Sequence, residues 1–154
     1  MEGSEIDNRI FEVYKDYAIY HPDLIIVNRK ISRSIIGPIS STVEYNIGKR
    51  IGEMIVGECR KLFEGYLLKI SFEIVEKSGW GKINIDDSRK IVRVHNSLVS
   101  KYYIKHEGIS HEAIDDIMRG IIGAIFEAVE ERVCKIKETK CIAKGDDYCE
   151  FIIE

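Results

Sequence analysis

The sequence predicts an α+β protein in which helices pack on one face of a small antiparallel sheet. Three stretches place apolar residues at helical spacing, and two others alternate apolar with polar residues around turn residues, as β-hairpins do. The helical and hairpin stretches come in blocks, without the strand–helix–strand alternation of a parallel sheet. The 154 residues have the length of one domain and can bury a core without disulfides or metals.

The first helix is predicted after the turn at Gly37 and Pro38. The preceding segment, Arg9 to Val27, partly alternates and ends in a short apolar run, so its pattern favours no single element. Ser41 and Glu44 have the S-x-x-E spacing of a capping box. The helix has one apolar stripe, which suits a core face and a dimer contact equally. It consists of Ile39, Val43, Ile47, Ile51 and Ile55.

The second predicted helix runs from about Glu58 to Glu76 and ends at the SGWG sequence of residues 78–81. One side of it carries four large apolar residues at helical spacing, and charged residues lie opposite. The apolar positions are Phe63, Leu67, Ile70 and Ile74.

Two hairpins flank the third predicted helix. The first consists of KINID and RKIVRV around residues 86–88, and a polar loop containing Gly108 follows it. The third helix is predicted from His111 to about Glu131, with Ser110 as its N-cap. The closing hairpin turns at residues 144–147.

Composition and charge exclude several classes of protein. The net charge of −3 and the isoelectric point near 5.9 give no basic field, which disfavours nucleic-acid binding. No stretch approaches the 18 apolar residues of a membrane span, and the N-terminal residues have no signal-peptide pattern. We therefore expect a soluble cytoplasmic protein with reduced thiols. The abundance of isoleucine, lysine and glutamate is typical of thermophiles.

Two of the four cysteines lie in the closing hairpin. A turn centred on Gly145 would place Cys141 and Cys149 opposite each other, with Cβ atoms about 4.5–5.5 Å apart. That separation fits two buried thiols, a wide disulfide or two ligands of one metal ion. A reducing compartment weakens the disulfide interpretation, but spacing alone leaves all three open. Cys59 and Cys134 have no obvious partner and are interpreted as core or half-exposed thiols.

The string E-x2-C-x3-G-D-x2-C-x-F adds a resemblance. It consists of Glu138, Cys141, Gly145, Asp146, Cys149 and Phe151. It resembles the signature that closes the 4-vinyl reductase domain, a family of small ligand-binding modules that includes the sensor domain of phenol- and xylene-responsive activators. The resemblance extends over most of the chain beyond about residue 25. It implies a zinc ion held by Glu138, Cys141, Cys149 and a fourth ligand at the start of the preceding helix. Nine residues before Gly120, where that branch has a cysteine, this chain has His111, an equally good zinc ligand.

The proposed ligand set requires an irregular strand. Glu138 and Cys141 are three residues apart and would face opposite sides of a regular strand. A bulge or bend at Thr139 and Lys140 would bring both to one metal ion. In a regular strand Glu138 would be lost as a ligand, and water or another group would take its place.

The predicted function is a ligand-binding or sensor module rather than an enzyme. Four protein ligands would close the zinc site and make it structural, and none of the common catalytic motifs is present. The resemblance implies an apolar cavity for a small hydrophobic or aromatic ligand, for which Trp80 and His95 are candidates, although each is also typical of a core residue. We further expect a homodimer and a partner protein that receives the signal. The alternative is an enzyme or accessory factor of tetrapyrrole metabolism, as the family name suggests.

Overall fold

The structure, a computed structural model, describes residues 22–62 and 65–154. Residues 9–21 of the segment left open above, the N-terminal residues tested for a signal peptide, and Phe63 lie outside the described part. The described helices are α1 (Pro22–Ile36), α2 (Ser40–Leu62), α3 (Leu67–Lys77), α4 (Leu98–Glu107) and α5 (Asp116–Glu130). The described strands are β1 (Lys82–Asp86), β2 (Ile91–His95), β3 (Ile136–Lys140) and β4 (Cys149–Ile153).

The four strands form one antiparallel sheet in the order β1-β2-β4-β3. Both predicted hairpins are present, and β2 pairs with β4 to join them. Residues of the two central strands alternate between buried and half-buried, as the period of two requires. Val92 and Phe151 are paired across the centre and fully buried. The predicted α+β class is therefore confirmed.

Close packing of α2 on α5 holds the start of α5 in position. Gly48 lies so near α5 that a Cβ atom there would be 1.9 Å from the carbonyl oxygen of Ile117. A Cβ atom on Gly120 would be 2.1 Å from the carbonyl oxygen of Tyr45. The missing side chains let the two backbones touch, so the residues before α5 have a rigid support.

The helix bounds differ from the prediction in two places. The helix expected from Glu58 to Glu76 is two helices, since α2 continues to Leu62 and α3 begins at Leu67. Gly65 between them has φ +83°, a left-handed conformation that ends a helix. The predicted capping box is wrong as well. The Ser41 hydroxyl donates to Asp116 over 2.7 Å, and Glu44 pairs with Arg29.

A helix replaces the predicted polar loop. The Ser97 side chain accepts a hydrogen bond from the Ser100 backbone N–H and caps α4, and Gly108, with φ +79°, ends it. The next helix begins at Asp116, five residues later than His111. Ser110 instead caps a bend, because its hydroxyl accepts from the Glu112 N–H over 3.2 Å. Its own N–H donates to Ala143 of the closing turn over 2.7 Å, which ties this bend to the hairpin.

The apolar stripe of α2 divides between surface and core. Ile39, Val43 and Ile47 are 65%, 40% and 49% exposed, whereas Ile55 is fully buried. The adjoining α1 adds further exposed apolar side chains, at Leu24, Val27, Ile31 and Ile35. None of the described helices has an apolar stretch long enough to span a membrane.

Candidate metal site and ligand cleft

Three metal-ligating side chains gather where β3 ends and β4 begins. One ligand atom from each of Glu138, Cys141 and Cys149 lies within 4.8 Å of the other two. Both cysteines are fully buried and Glu138 is half-buried. The cysteines are free thiols. The structure thus brings together three of the four predicted ligands.

A bulge in β3 makes this grouping possible. Glu138 pairs with Phe151, but Lys140 pairs with Glu150, so Thr139 is an extra residue in the strand. The Thr139 hydroxyl donates to the Glu150 backbone carbonyl over 3.3 Å and holds the bulge against β4. The bend predicted at Thr139 and Lys140 is confirmed, and it turns Glu138 toward the cysteines.

The turn between the cysteines is held by hydrogen bonds around the sulfur atoms. The Cys141 N–H donates to the Asp146 carboxylate over 2.8 Å, and the Ile142 N–H approaches Sγ of Cys149 at 3.4 Å. Gly145 has φ +99° at the point where the chain reverses. A backbone N–H directed at sulfur stabilises a thiolate, which is the form that binds metals.

Side chains at the starts of α4 and α5 complete the surroundings of the cluster. The Ser100 hydroxyl lies 3.5 Å from Sγ of Cys141 and 3.3 Å from Sγ of Cys149. The Asp115 backbone N–H donates to Oε2 of Glu138 over 3.2 Å, and the Ser97 hydroxyl donates to Oδ2 of Asp115. Oδ1 of Asp115 and Oε1 of Glu138 are buried and have no hydrogen-bond partner among the described residues.

The cluster has a shortage of positive charge. Burial, together with the charges of Asp115 and Cys141, raises the pKa of Glu138 to about 10. Burial also raises the pKa of Asp115 to about 7, against the hydrogen bond from Ser97. A hydrogen bond from Cys149, helped by Ser100, lowers the pKa of Cys141 to about 5, and the same pairing raises the pKa of the Cys149 thiol. The site readily holds one negative charge and resists further ones.

A divalent cation would relieve this repulsion, and the donor set fits one. Two sulfurs and a carboxylate oxygen are ligands that zinc prefers. Ligand atoms about 2.0–2.3 Å from a tetrahedral zinc ion lie about 3.3–3.8 Å apart, so the three groups need only a small contraction. The unpartnered oxygens of Glu138 and Asp115 are the kind of buried acceptors that a cation satisfies. The residues present therefore fit a zinc ion.

The fourth predicted ligand, His111, is exposed and precedes α5. It is not among the residues whose ligand atoms gather in the cluster, and its role stays a prediction. Sequence reasoning missed Asp115 and Ser100 as neighbours of the cluster. Asp115 looks like an ordinary acidic residue at a helix start, and only the packing of the hairpin on α5 buries it completely.

Trp80 and His95, the candidate pocket residues, lie elsewhere. Trp80 is 5% exposed and packs in the core, and its carbonyl accepts from the Leu98 N–H over 3.0 Å. The His95 ring lies 5.3 Å from the ring of Tyr148 at the end of β2. Neither lines the cleft described next, and their role in ligand binding stays a prediction.

A cleft of about 810 Å³ lies between α3, β1 and the end of α5. Most of its inner wall is apolar, and Arg60, Tyr66 and Glu76 stand among its polar groups. This volume and this mixture of surfaces are typical of sites for small organic molecules. The apolar lining residues are Leu67, Leu68, Phe72, Ile83, Ile85 and Val129.

Residues 94–154, which include both cysteines of the cluster, match the family model of the 4-vinyl reductase domain. This part of the chain is a 4-vinyl reductase domain. The resemblance noted in the sequence is confirmed. Two curated relatives, both uncharacterized proteins of Methanocaldococcus jannaschii, extend the similarity beyond residues 94–154. One is 31% identical over 112 residues, 71% of this chain, and the other is 22% identical over 120 residues, 75% of this chain. The chain spans 62% and 67% of their respective lengths.

Solved structures with the same fold include two of related kinds. The phenol-responsive sensory domain of the transcription activator PoxR, crystallised with phenol, superposes with a TM-score of 0.71 at 12% identity. The alignment covers 87% of this chain and 74% of that one. A vinyl-4-reductase family protein of Methanocaldococcus jannaschii superposes with a TM-score of 0.64 at 19% identity, covering 97% of this chain and 88% of that one. At these identities the similarity shows that the fold is shared.

Proposed function

We propose that the protein is a sensor module that binds a small hydrophobic or aromatic molecule. The observation that carries this proposal is the apolar cleft between α3 and β1. A 4-vinyl reductase fold shared with a phenol-responsive sensory domain supports it. The signal would pass to a partner protein or through a change in association between copies of the chain.

The chemistry of the cleft determines what it would select. Leu68, Phe72 and Ile83 offer area to a ring or a short alkyl chain, at about 25 cal/mol for each Å² removed from water. Tyr66 and Glu76 can bond one polar group of the ligand. A phenol-like molecule, apolar with one hydroxyl, matches this arrangement.

A titration with phenol tests the proposal. In methyl-labelled protein we expect saturable shifts at Leu67, Leu68, Ile83 and Ile85 and none from glycerol. Leu68→Trp should fill the cleft and weaken phenol binding at least about tenfold, which is ~1.4 kcal/mol. Ile109→Trp, at an exposed position, is the matched control. Saturable shifts elsewhere, or phenol binding unchanged in Leu68→Trp, would refute this location for the ligand.

We also propose that Glu138, Cys141 and Cys149 bind a zinc ion with a structural role. The orphaned buried oxygens and the N–H groups directed at sulfur support this assignment. Zinc would link the end of β3 to β4 and, through the surroundings of the cluster, to the starts of α4 and α5. The metal would then stabilise the support of the sheet rather than take part in a reaction.

The fourth ligand has two candidates. The family resemblance favours His111, which would have to move inward from the surface together with residues 109–115. The contacts favour Asp115, since it is fully buried beside Glu138 and its Oδ1 has no partner among the described residues. We propose Asp115 on that basis, and the comparison of variants in the Discussion separates the two.

We further propose that the chain forms a homodimer through the exposed apolar face of α1 and α2. A two-fold pairing lets one patch cover its own copy, which is the commonest symmetric assembly. The exposed side chains recur at helical spacing, so they can interdigitate with an identical set. The face consists of Leu24, Val27, Ile31, Ile35, Ile39, Val43 and Ile47.

A further inference from the structure

A second cavity, of about 110 Å³, lies between α1 and α4. It shares no lining residue with the apolar cleft and none with the metal cluster. Its walls are basic on one side, and a tyrosine and an isoleucine are also part of the lining. The lining residues are Ile26, Arg29, Lys30, Arg33, Tyr103 and Glu107.

Arg29 is the unusual member of this lining. It is only 4% exposed, and its Nη1 donates to Glu44 of α2. Its Nε and Nη2 are buried and have no hydrogen-bond partner among the described residues. These two nitrogens share one edge of the planar guanidinium, the edge that binds a carboxylate through two parallel hydrogen bonds. A buried charged donor without a partner is costly, so this edge calls for an acceptor.

The acidic groups nearby do not supply that acceptor, because each already holds a cation or hydroxyl. Glu107 pairs with Lys30 over 2.9 Å, and Glu112 pairs with Arg33 over 2.5 Å. Asp116 accepts from Ser41 and pairs with Arg119 over 2.8 Å, while its distance to Nη1 of Arg29 is 3.7 Å.

Arg33 adds a second unsatisfied donor on the same helix, one turn further along. Its Nε is also buried without a partner among the described residues. Two arginines of α1 therefore present free N–H groups while their outer nitrogens hold Glu44 and Glu112. The carboxylates of the protein orient the guanidinium groups and leave the edges open, which is how a preorganised anion site is built.

We propose that this cavity binds a small organic carboxylate, held by the Nε and Nη2 edge of Arg29. At about 30 Å³ for each water molecule, the volume equals about three to four waters, enough for a carboxylate and a few carbon atoms. Ile26 and Tyr103 would contact the carbon chain. The site is independent of the proposed sensor cleft, since it uses different residues and a different ligand chemistry.

Titration of the full chain with propionate tests the proposal, with propionamide as its neutral isostere and inorganic phosphate as a second oxyanion. We expect saturable binding of propionate, a downfield shift of the Arg29 Nε–H resonance, and propionamide weaker by at least about tenfold. No saturable propionate binding, or phosphate binding tighter than propionate, would overturn the carboxylate assignment.

Arg29→Lys is the decisive variant. A lysine keeps a cation beside Glu44 but has no two-donor edge, so propionate affinity should fall at least about tenfold. Arg50→Lys is the matched control, because Arg50 is exposed on α2 and its ion pair, with Glu53, lies on the same helix. If Arg29→Lys does not fold, the charge-free pair Arg29→Met with Glu44→Leu replaces it. Unchanged propionate binding in either folded variant would overturn the proposal, and phenol binding in the cleft should be unaffected in both.

Discussion

The backbone N–H of Asp115 donates a hydrogen bond of 3.2 Å to Oε2 of Glu138. This contact joins the start of α5 to the bulged end of β3, and it brings a fully buried carboxylate beside the predicted metal ligands. The outer oxygens of the two side chains, Oδ1 and Oε1, lack partners among the described residues. A cation placed between these oxygens and the two sulfurs would convert an electrostatic cost into a link between helix and sheet.

Removal of either hairpin cysteine should abolish metal binding. Protein purified without added zinc should contain about one zinc ion per chain, and Cys141→Ser and Cys149→Ser should contain none, because one sulfur and one carboxylate hold zinc weakly. At free zinc about 100-fold above the dissociation constant, the metal contributes about 2.7 kcal/mol to the free energy of unfolding. Elemental analysis and thermal unfolding with and without chelator measure both effects.

Cys134→Ser is the control for that experiment. Cys134 is buried like the hairpin cysteines, but it lies outside the cluster of ligand atoms. It should keep its zinc. An intact mass about two units low, with no metal in the native protein, would mean a disulfide between Cys141 and Cys149 and contradict the metal site.

The fourth ligand can be identified by comparing Asp115→Asn with His111→Ala. We expect Asp115→Asn to weaken zinc affinity at least about tenfold, since it removes the charge of a buried oxygen beside the metal. His111→Ala should keep its affinity, because the side chain is exposed. Competition with a chromogenic chelator measures the affinities, and the visible spectrum of the cobalt-substituted protein reports the ligand set. The reverse result, a loss only in His111→Ala, would establish the histidine as the ligand.

The closing hairpin was predictable because its geometry follows from local rules. Four residues on each side of Gly145 place Cys141 and Cys149 opposite each other, and a period of two makes a bulge at Thr139 necessary if Glu138 is to join them. The alternation of β2 likewise identifies its buried face. These features depend on residues close together in the sequence.

Other features depend on contacts between distant residues and leave little local signal. Helix α4 contains many polar residues, and it forms where Ser97 caps it and α1 and the closing turn pack against it. Asp115 and Arg29 have the residue types of ordinary surface positions. Both are buried because α5 and α2 meet through glycines that are far apart in the sequence.

Gly48 should tolerate no side chain. In Gly48→Ala the new Cβ atom would lie 1.9 Å from the carbonyl oxygen of Ile117, so α2 and α5 would have to separate. We expect the free energy of unfolding to fall by about 3 kcal/mol. Gly57→Ala on the same helix is the control, since its Cβ atom would meet nothing within 4 Å. That change should raise the free energy of unfolding by about 0.5–1 kcal/mol. Equal effects of the two changes in chemical denaturation would contradict the close contact.

Ile47→Glu should dissociate the proposed dimer. Ile47 is 49% exposed on the apolar face of α1 and α2, where a two-fold pairing would bury it. A carboxylate there would be desolvated without a partner, a cost of several kcal/mol that exceeds what the remaining contacts can offset. Light scattering coupled to size exclusion should give a dimer for the native chain and a monomer for Ile47→Glu, with unchanged helix content.

Val133→Glu is the matched control for the dimer, because Val133 is 85% exposed and lies on neither α1 nor α2. It should remain a dimer. A native chain that stays monomeric at about 100 μM, where even a weak dimer with a micromolar dissociation constant would form, would contradict the homodimer. The exposed apolar face would then need another partner, and the protein that receives the sensor's signal would be the first to test against Ile47→Glu.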